Sequence, residues 1–114
     1  MDKQQKKEML STYKERKLVG GVCAIYCPPT GKRLLQSATD IQRCRNLFDF
    51  SKSIGSSTHL ELNADINRFG MEAFQFEILQ QIEKKETQTE KEFAEEVRTL
   101  EGLWHATYLA EQLY

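Results

Sequence analysis

Apolar positions in this chain either cluster and alternate in three short runs or recur every three to four residues. The first run, residues 22–27 (VCAIYC), is β-branched, aromatic or small and predicts a strand. Gly20-Gly21 punctuates the chain before it. Pro28-Pro29-Thr30-Gly31 is turn chemistry, with Pro fixing φ and Gly free to take a positive one. Residues 33–37 make a second strand, antiparallel to the first because so short a link cannot cross over. A third strand is predicted over 74–82, where Phe74, Phe76 and Ile78 alternate with Gln75 and Glu77.

Helical spacing fills the intervals. Ile41, Cys44, Leu47 and Phe48 predict a helix to about residue 50 or 53, opened by a capping box of Thr39 and Gln42. Gly55-Ser56-Ser57 breaks it. Thr58 and Glu61 form another box before a helix with apolar positions Leu60, Leu62, Ile66 and Phe69, ending at Gly70. Thr87 with Glu90 caps a last helix whose stripe runs Phe93, Val97, Leu100, Trp104, Tyr108. Residues 2–17, rich in Lys, Gln and Glu, favour a helix at the start. The order α-ββ-α-α-β-α predicts an α+β fold (an α/β sandwich), a small three-stranded, mainly antiparallel sheet flanked by helices. Residues 1–17 are expected to be a helical extension and 18–114 one domain. The aromatic residues Phe48, Phe50, Phe74, Phe76, Phe93 and Trp104 are expected in its core.

Composition adds limits. At 114 residues, 39% hydrophobic and 29% charged, the chain reads as one globular domain. No apolar run approaches the roughly 20 residues a membrane helix needs, and the charged start lacks a signal peptide's apolar segment. Cys23 and Cys27 share a strand face about 13 Å apart, too far for a disulfide. With Cys44 they make an odd count of three, and reduced cytoplasmic thiols are the expectation. Residues 1–58 carry eleven Lys and Arg against five Asp and Glu, a charge of +6, and residues 59–114 carry −7. That asymmetry permits an anion-facing first half, but a solvated acidic last helix beside an unremarkable basic remainder is the preferred reading of composition alone.

Three pieces of the chain resemble the GIY-YIG nuclease superfamily. Gly21-Val22-Cys23, ten residues and Leu34-Leu35-Gln36 reproduce that family's G-I-Y…Y-I-G spacing. The stretch NRFGMEAFQFEILQQIE is similar to the Asn-x-x-Gly helix end and third strand of its homing-endonuclease branch. Leu100-Glu101-Gly102-Leu103-Trp104 is similar to its metal-binding L-E-x-x-W signature. KERKLVGG, RNLFDFSKSIGSSTH and IEKKETQT further resemble a divergent bacterial subgroup often labelled LuxR- or ArsR-type transcriptional regulators, although the sequence shows no helix-turn-helix pair.

The resemblance implies hydrolysis of phosphodiesters with one divalent metal, two tyrosines to position water, an arginine for the phosphate and a glutamate for the ion. Here the first tyrosine position is Cys23 and the second is Leu34. The closing glycine is Gln36, and the arginine position is Cys44, beside Arg43 and Arg45. Glu101 stays. His59 precedes the second helix, where the resemblance implies a histidine; a local hydrogen bond there is its plainer use. Cys23 and Cys44 are expected to be small buried fillers.

Lys32, Arg33, Arg43, Arg45 and Lys52 are the candidate nucleic-acid-binding residues. The expected function is therefore a degenerate, catalytically inactive GIY-YIG-like domain that binds DNA, other nucleic acid or a protein partner, in a regulatory capacity. It would need no cofactor. The alternative is an active endonuclease with Arg45, His59 and Glu101 rearranged around Mg²⁺ or Mn²⁺. A structural or oligomerising protein, with the acidic last helix as its partner surface, is the third reading.

Overall fold

The computed structural model describes residues 18–114, so the helix expected over 2–17 lies outside the described residues. Strands β1 (Val19–Cys27) and β2 (Lys32–Ala38) form an antiparallel hairpin, and β3 (Gln75–Glu83) pairs antiparallel with the other side of β1. The order β2-β1-β3 places β1 at the centre. Its run of small and apolar side chains is what a strand covered on both faces requires, and Gly20 through Ile25 are all buried. At the turn, the Gly31 and Thr30 amides both donate to the Cys27 carbonyl, at 2.8 and 3.1 Å.

β1 begins earlier than the pattern predicts, because Gly20 and Gly21 lie inside it rather than ahead of it. The glycines let three backbones close up. Gly21 has φ +146°, and a Cβ there would land on the Gln80 carbonyl oxygen. Beside it the β1–β3 register steps from Val22↔Gln80 to Cys23↔Ile78, a bulge that leaves Leu79 unpaired.

Helix α1 (Ile41–Ile54) turns Ile41 and Phe48 into the core, with Cys44 partly buried between them. Its first residue is preceded by Asp40, with no side-chain cap, and Gln42 reaches forward to Asn46 instead (3.0 Å). The Thr39–Gln42 box does not form, because Thr39 falls one residue outside the N-cap. Gly55, at φ 69°, ends the helix.

The helix expected from 60 is a 3₁₀ turn, Leu60–Leu62, continuing as α2 (Asn63–Phe69), again without the expected cap. Leu62 is fully buried, whereas Leu60 is 78% exposed and Phe69 lies at the surface. Helix α3 (Glu90–Thr107) does have a capping box, at Thr89 and Glu92 rather than Thr87 and Glu90. Thr-x-x-Glu occurs twice in overlap here. Gln88 is drawn into a turn, accepting from the Lys85 amide and donating to Glu96. That turn leaves Thr89 as the residue that meets the first free helical amides.

Side chains alternate along β1. Ile25 and Cys27 join Phe48, Leu62, Met71 and Phe74 in one cluster, with Leu34, Phe76 and Tyr114 packed against it. α3 packs on β1 and β2, with Phe93 and Val97 buried. Phe50 is 60% exposed, not core, and so is Leu47 at 59%. Leu47 lies about a quarter turn of α1, and Phe50 nearly half a turn, away from the inward row Ile41, Cys44, Phe48.

Candidate functional site

Register brings the first tyrosine position and the closing-glycine position of the hairpin motif together: Cys23 of β1 lies opposite Gln36 of β2. Cys23 has no exposed surface. Its thiol donates to the Gln36 side-chain carbonyl at 3.7 Å, and the Gln36 amide nitrogen meets Nε2 of His59. Since that amide nitrogen is a donor, His59 accepts at Nε2 and carries its proton on Nδ1. His59 is thus brought into the site, but Gln36 stands between it and Cys23, so the two form no nucleophile–base pair. His59 is positioned by its own amide, which donates to Ser57 Oγ at 3.1 Å.

Cys44 lies partly buried on the inward row of α1, on the side that faces the sheet. The influence of Cys44, followed by burial and the negative charge of Glu101, holds the Cys23 thiol far above the ordinary thiol range. The influence of Cys23 draws Cys44 down to about 7, opposed by burial and Asp40 and aided by Arg43. Cys23 is buried as expected, whereas Cys44 is only partly so. Cys23, Gln36 and His59 make a connected polar net across β1, β2 and the chain before α2. Gln36, whose amide links it, is the member that sequence reasoning missed. The signal was available in the four-residue turn, which sets residue 36 opposite residue 23.

Leu34, at the second tyrosine position, pairs with Ile25 and packs on the core cluster. Glu101 lies partly buried on α3. Among the described residues no three His, Cys, Asp or Glu side chains are grouped to hold an ion. Mg²⁺ and Mn²⁺ take oxygen donors, and the thiol whose pKa registers Glu101 belongs to the wrong class. Glu101 is the one oxygen donor present at a position that the resemblance gives to the ion.

The basic residues divide. Arg33 donates to Glu77 at 2.9 Å and lies over the rings of Tyr26 (4.1 Å) and Tyr108 (5.4 Å), so its guanidinium is committed within the fold. Lys32 lies over Tyr114 and Lys52 over Phe48. Arg43 and Arg45 are exposed. Two positions on a helix are about 200° of rotation, which sets these two arginines on opposite flanks of α1. Arg45 shares its flank with Lys52, seven residues on.

A second polar cluster, unforeseen from sequence, closes the chain's end. Tyr114 donates to Oδ2 of the buried Asp65 at 2.7 Å and neighbours Thr30 Oγ1 at 3.4 Å, while its amide donates to the Arg33 carbonyl. Burial above all raises the Tyr114 phenol, so it serves as a neutral donor.

Neither a protein-family model nor a curated protein matches the chain. Solved structures do. The catalytic domain of the homing endonuclease I-TevI superposes with a TM-score of 0.57 at 18% identity, covering 77% of this chain and 86% of that one. A glutamate-to-alanine variant of the same domain gives 0.54 at 18% identity, over 79% and 84%. The fold is GIY-YIG-like. At that identity the likeness establishes architecture alone: the three-stranded antiparallel sheet and its helices. The regulator label draws no support from it. Within this GIY-YIG-like frame, the positions that the resemblance gives to tyrosine, tyrosine and arginine carry a buried thiol, a packed leucine and a second thiol.

Proposed function

We propose that this chain is a non-catalytic GIY-YIG-like domain that binds nucleic acid through the Arg45–Lys52 flank of α1, with Lys32 at the hairpin as a further contact. One observation carries the reading: Cys23 is wholly buried and hydrogen-bonded to Gln36. A thiol held protonated and out of water's reach cannot activate a water molecule. Arg45 keeps an exposed guanidinium for phosphates, while Arg33 is already paired. Three free cysteines suit a reducing, cytoplasmic setting. Among the described residues no helix is long and apolar enough to cross a membrane.

The test has two arms. Anisotropy titration with labelled DNA and RNA oligonucleotides is expected to give salt-dependent binding. Arg45→Ala with Lys52→Ala should flatten the log–log salt slope by about 2. Incubation of plasmid and oligonucleotides with Mg²⁺ or Mn²⁺ should leave them intact. Turnover abolished by Glu101→Ala would instead establish a rearranged nuclease.

A second reading rests on a separate feature. Leu47, Phe50 and Ile54 are 59%, 60% and 57% exposed and recur as one row on the Arg43 side of α1. Such a row favours a protein partner. Loss of co-sedimenting or cross-linked partner on Phe50→Ser, with nucleic-acid affinity unchanged, would support it.

A further inference from the structure

Helix α1 carries two apolar rows. The inner one, Ile41, Cys44 and Phe48, faces the sheet. The outer one, Leu47, Phe50 and Ile54, stays at the surface, with the exposed Arg43 one turn before it. Helix α3 has a matching flank. Leu103 is 62% exposed, and the exposed Glu92, Glu95, Thr99 and Ala106 fall on the same side at steps of three and four residues. Lys91 and Arg98 lie about 120° or more around the helix from Leu103.

The two surfaces are alike in spacing and opposite in charge. From Arg43 through Leu47 and Phe50 to Ile54 the first runs from basic to apolar. From Glu95 through Thr99 and Leu103 to Ala106 the second runs from acidic to apolar. In each run the ends are eleven positions apart, about 17 Å of helix. Laid parallel, Arg43 meets Glu95 while Phe50 and Ile54 meet Leu103 and Ala106. Laid antiparallel, Ile54 would face Glu95, so charge selects the parallel arrangement. One chain cannot make this contact with itself, because α1 and α3 cover opposite faces of the sheet. Phe48 of α1 packs with Ile25 and Cys27. Tyr26, between those two on β1, instead shares Arg33 with Tyr108 at the end of α3, and Trp104 donates to Gln80, the partner of Val22.

We propose that the outer row of α1 docks on the Glu95–Ala106 flank of α3 in a second copy of this chain. The inference rests on the reading of that row as a protein-binding surface, and it names the partner. Because the two surfaces differ, the contact is heterologous: a pair leaves one of each exposed and adds further copies head to tail.

Sedimentation velocity of the full chain alone, from micromolar to near-millimolar, is expected to show a mean mass that climbs with concentration. Phe50→Ser and Leu103→Ser should each sediment as monomers, the contact weakened about 30-fold or more. Mixed in equal amounts, the two should form a heterodimer and nothing larger. The intact α1 row of Leu103→Ser then meets the intact α3 flank of Phe50→Ser, which also shows that both variants fold. Arg43→Glu should weaken association, and Glu95→Arg added to the same chain should restore it. The proposal is overturned if the unaltered chain stays monomeric across the range, if Leu103→Ser alone still associates, or if the mixture stays monomeric. An unaltered chain that stays monomeric while its α1 row captures a different protein would overturn this inference and leave the reading beneath it standing.

Discussion

At residue 23 a thiol stands where the family resemblance implies a phenol, and the substitution changes reach as well as proton chemistry. The shorter side chain stays inside the sheet–helix seam, where it meets Gln36 instead of solvent. The pair then divides unequally, with Cys23 held protonated and Cys44 eased towards its thiolate. Native-state alkylation of Cys44 by iodoacetamide should therefore rise with pH through a midpoint near about 7, since the thiolate reacts and its fraction grows with pH. Cys23 should stay unlabelled until the protein unfolds. A midpoint at the ordinary thiol value would show that Cys23 exerts no such influence. Gly21 is the other residue whose replacement is decided locally. Gly21→Ala should cost at least about 2 kcal/mol, read as a fall in the urea midpoint, because the added Cβ meets the Gln80 carbonyl at a positive φ.

Elements were legible where their signals were local and unrivalled. The hairpin turn, the break at Gly55 and the third strand occur where the pattern puts them, but the bulge at Leu79 interrupts the alternation of β3 and Ile78 is left exposed. Caps were less legible. Two Thr-x-x-Glu words overlap before α3, and only the turn built by Gln88 decides between them. Thr89→Ala should lower stability by about 1 kcal/mol, whereas Thr87→Ala should be near neutral; thermal or denaturant unfolding of both variants checks the contrast. The faces of α1 followed the same logic. Spacing alone admits Leu47 to the apolar stripe, but the helix turns it outward with Phe50 and Ile54. The same rotation separates Arg43 from Arg45, so charge reversal at Arg43 should leave nucleic-acid affinity little changed while Arg45→Glu lowers it.

Across the whole molecule, contacts between distant segments close the fold. The last residue, Tyr114, returns to β2 at Arg33 and donates to Asp65 of α2, with Thr30 of the turn beside it. Tyr114→Phe keeps the ring and removes the donor, leaving the buried Asp65 carboxylate with Arg68 at 3.9 Å. The expected loss is about 1–3 kcal/mol, measurable as a lowered unfolding midpoint. Arg33 shows the same scale of effect. It reads as a free basic residue in the hairpin, but β3 supplies Glu77, β1 supplies Tyr26 and the end of α3 supplies Tyr108.

The sequence by itself determined the α+β class, the antiparallel hairpin, the sheet's third strand and the identity of the side chains at the GIY-YIG motif positions. These rest on short-range periodicity, turn chemistry and spacing, which act within a few residues. Tertiary structure alone decided what those side chains do. It placed Gln36 between Cys23 and His59, withdrew Arg33 into an ion pair and tied Tyr114 to Asp65. Such partnerships join residues 13 to 49 positions apart. They follow from which face of each element meets its neighbour, a quantity that no local pattern carries.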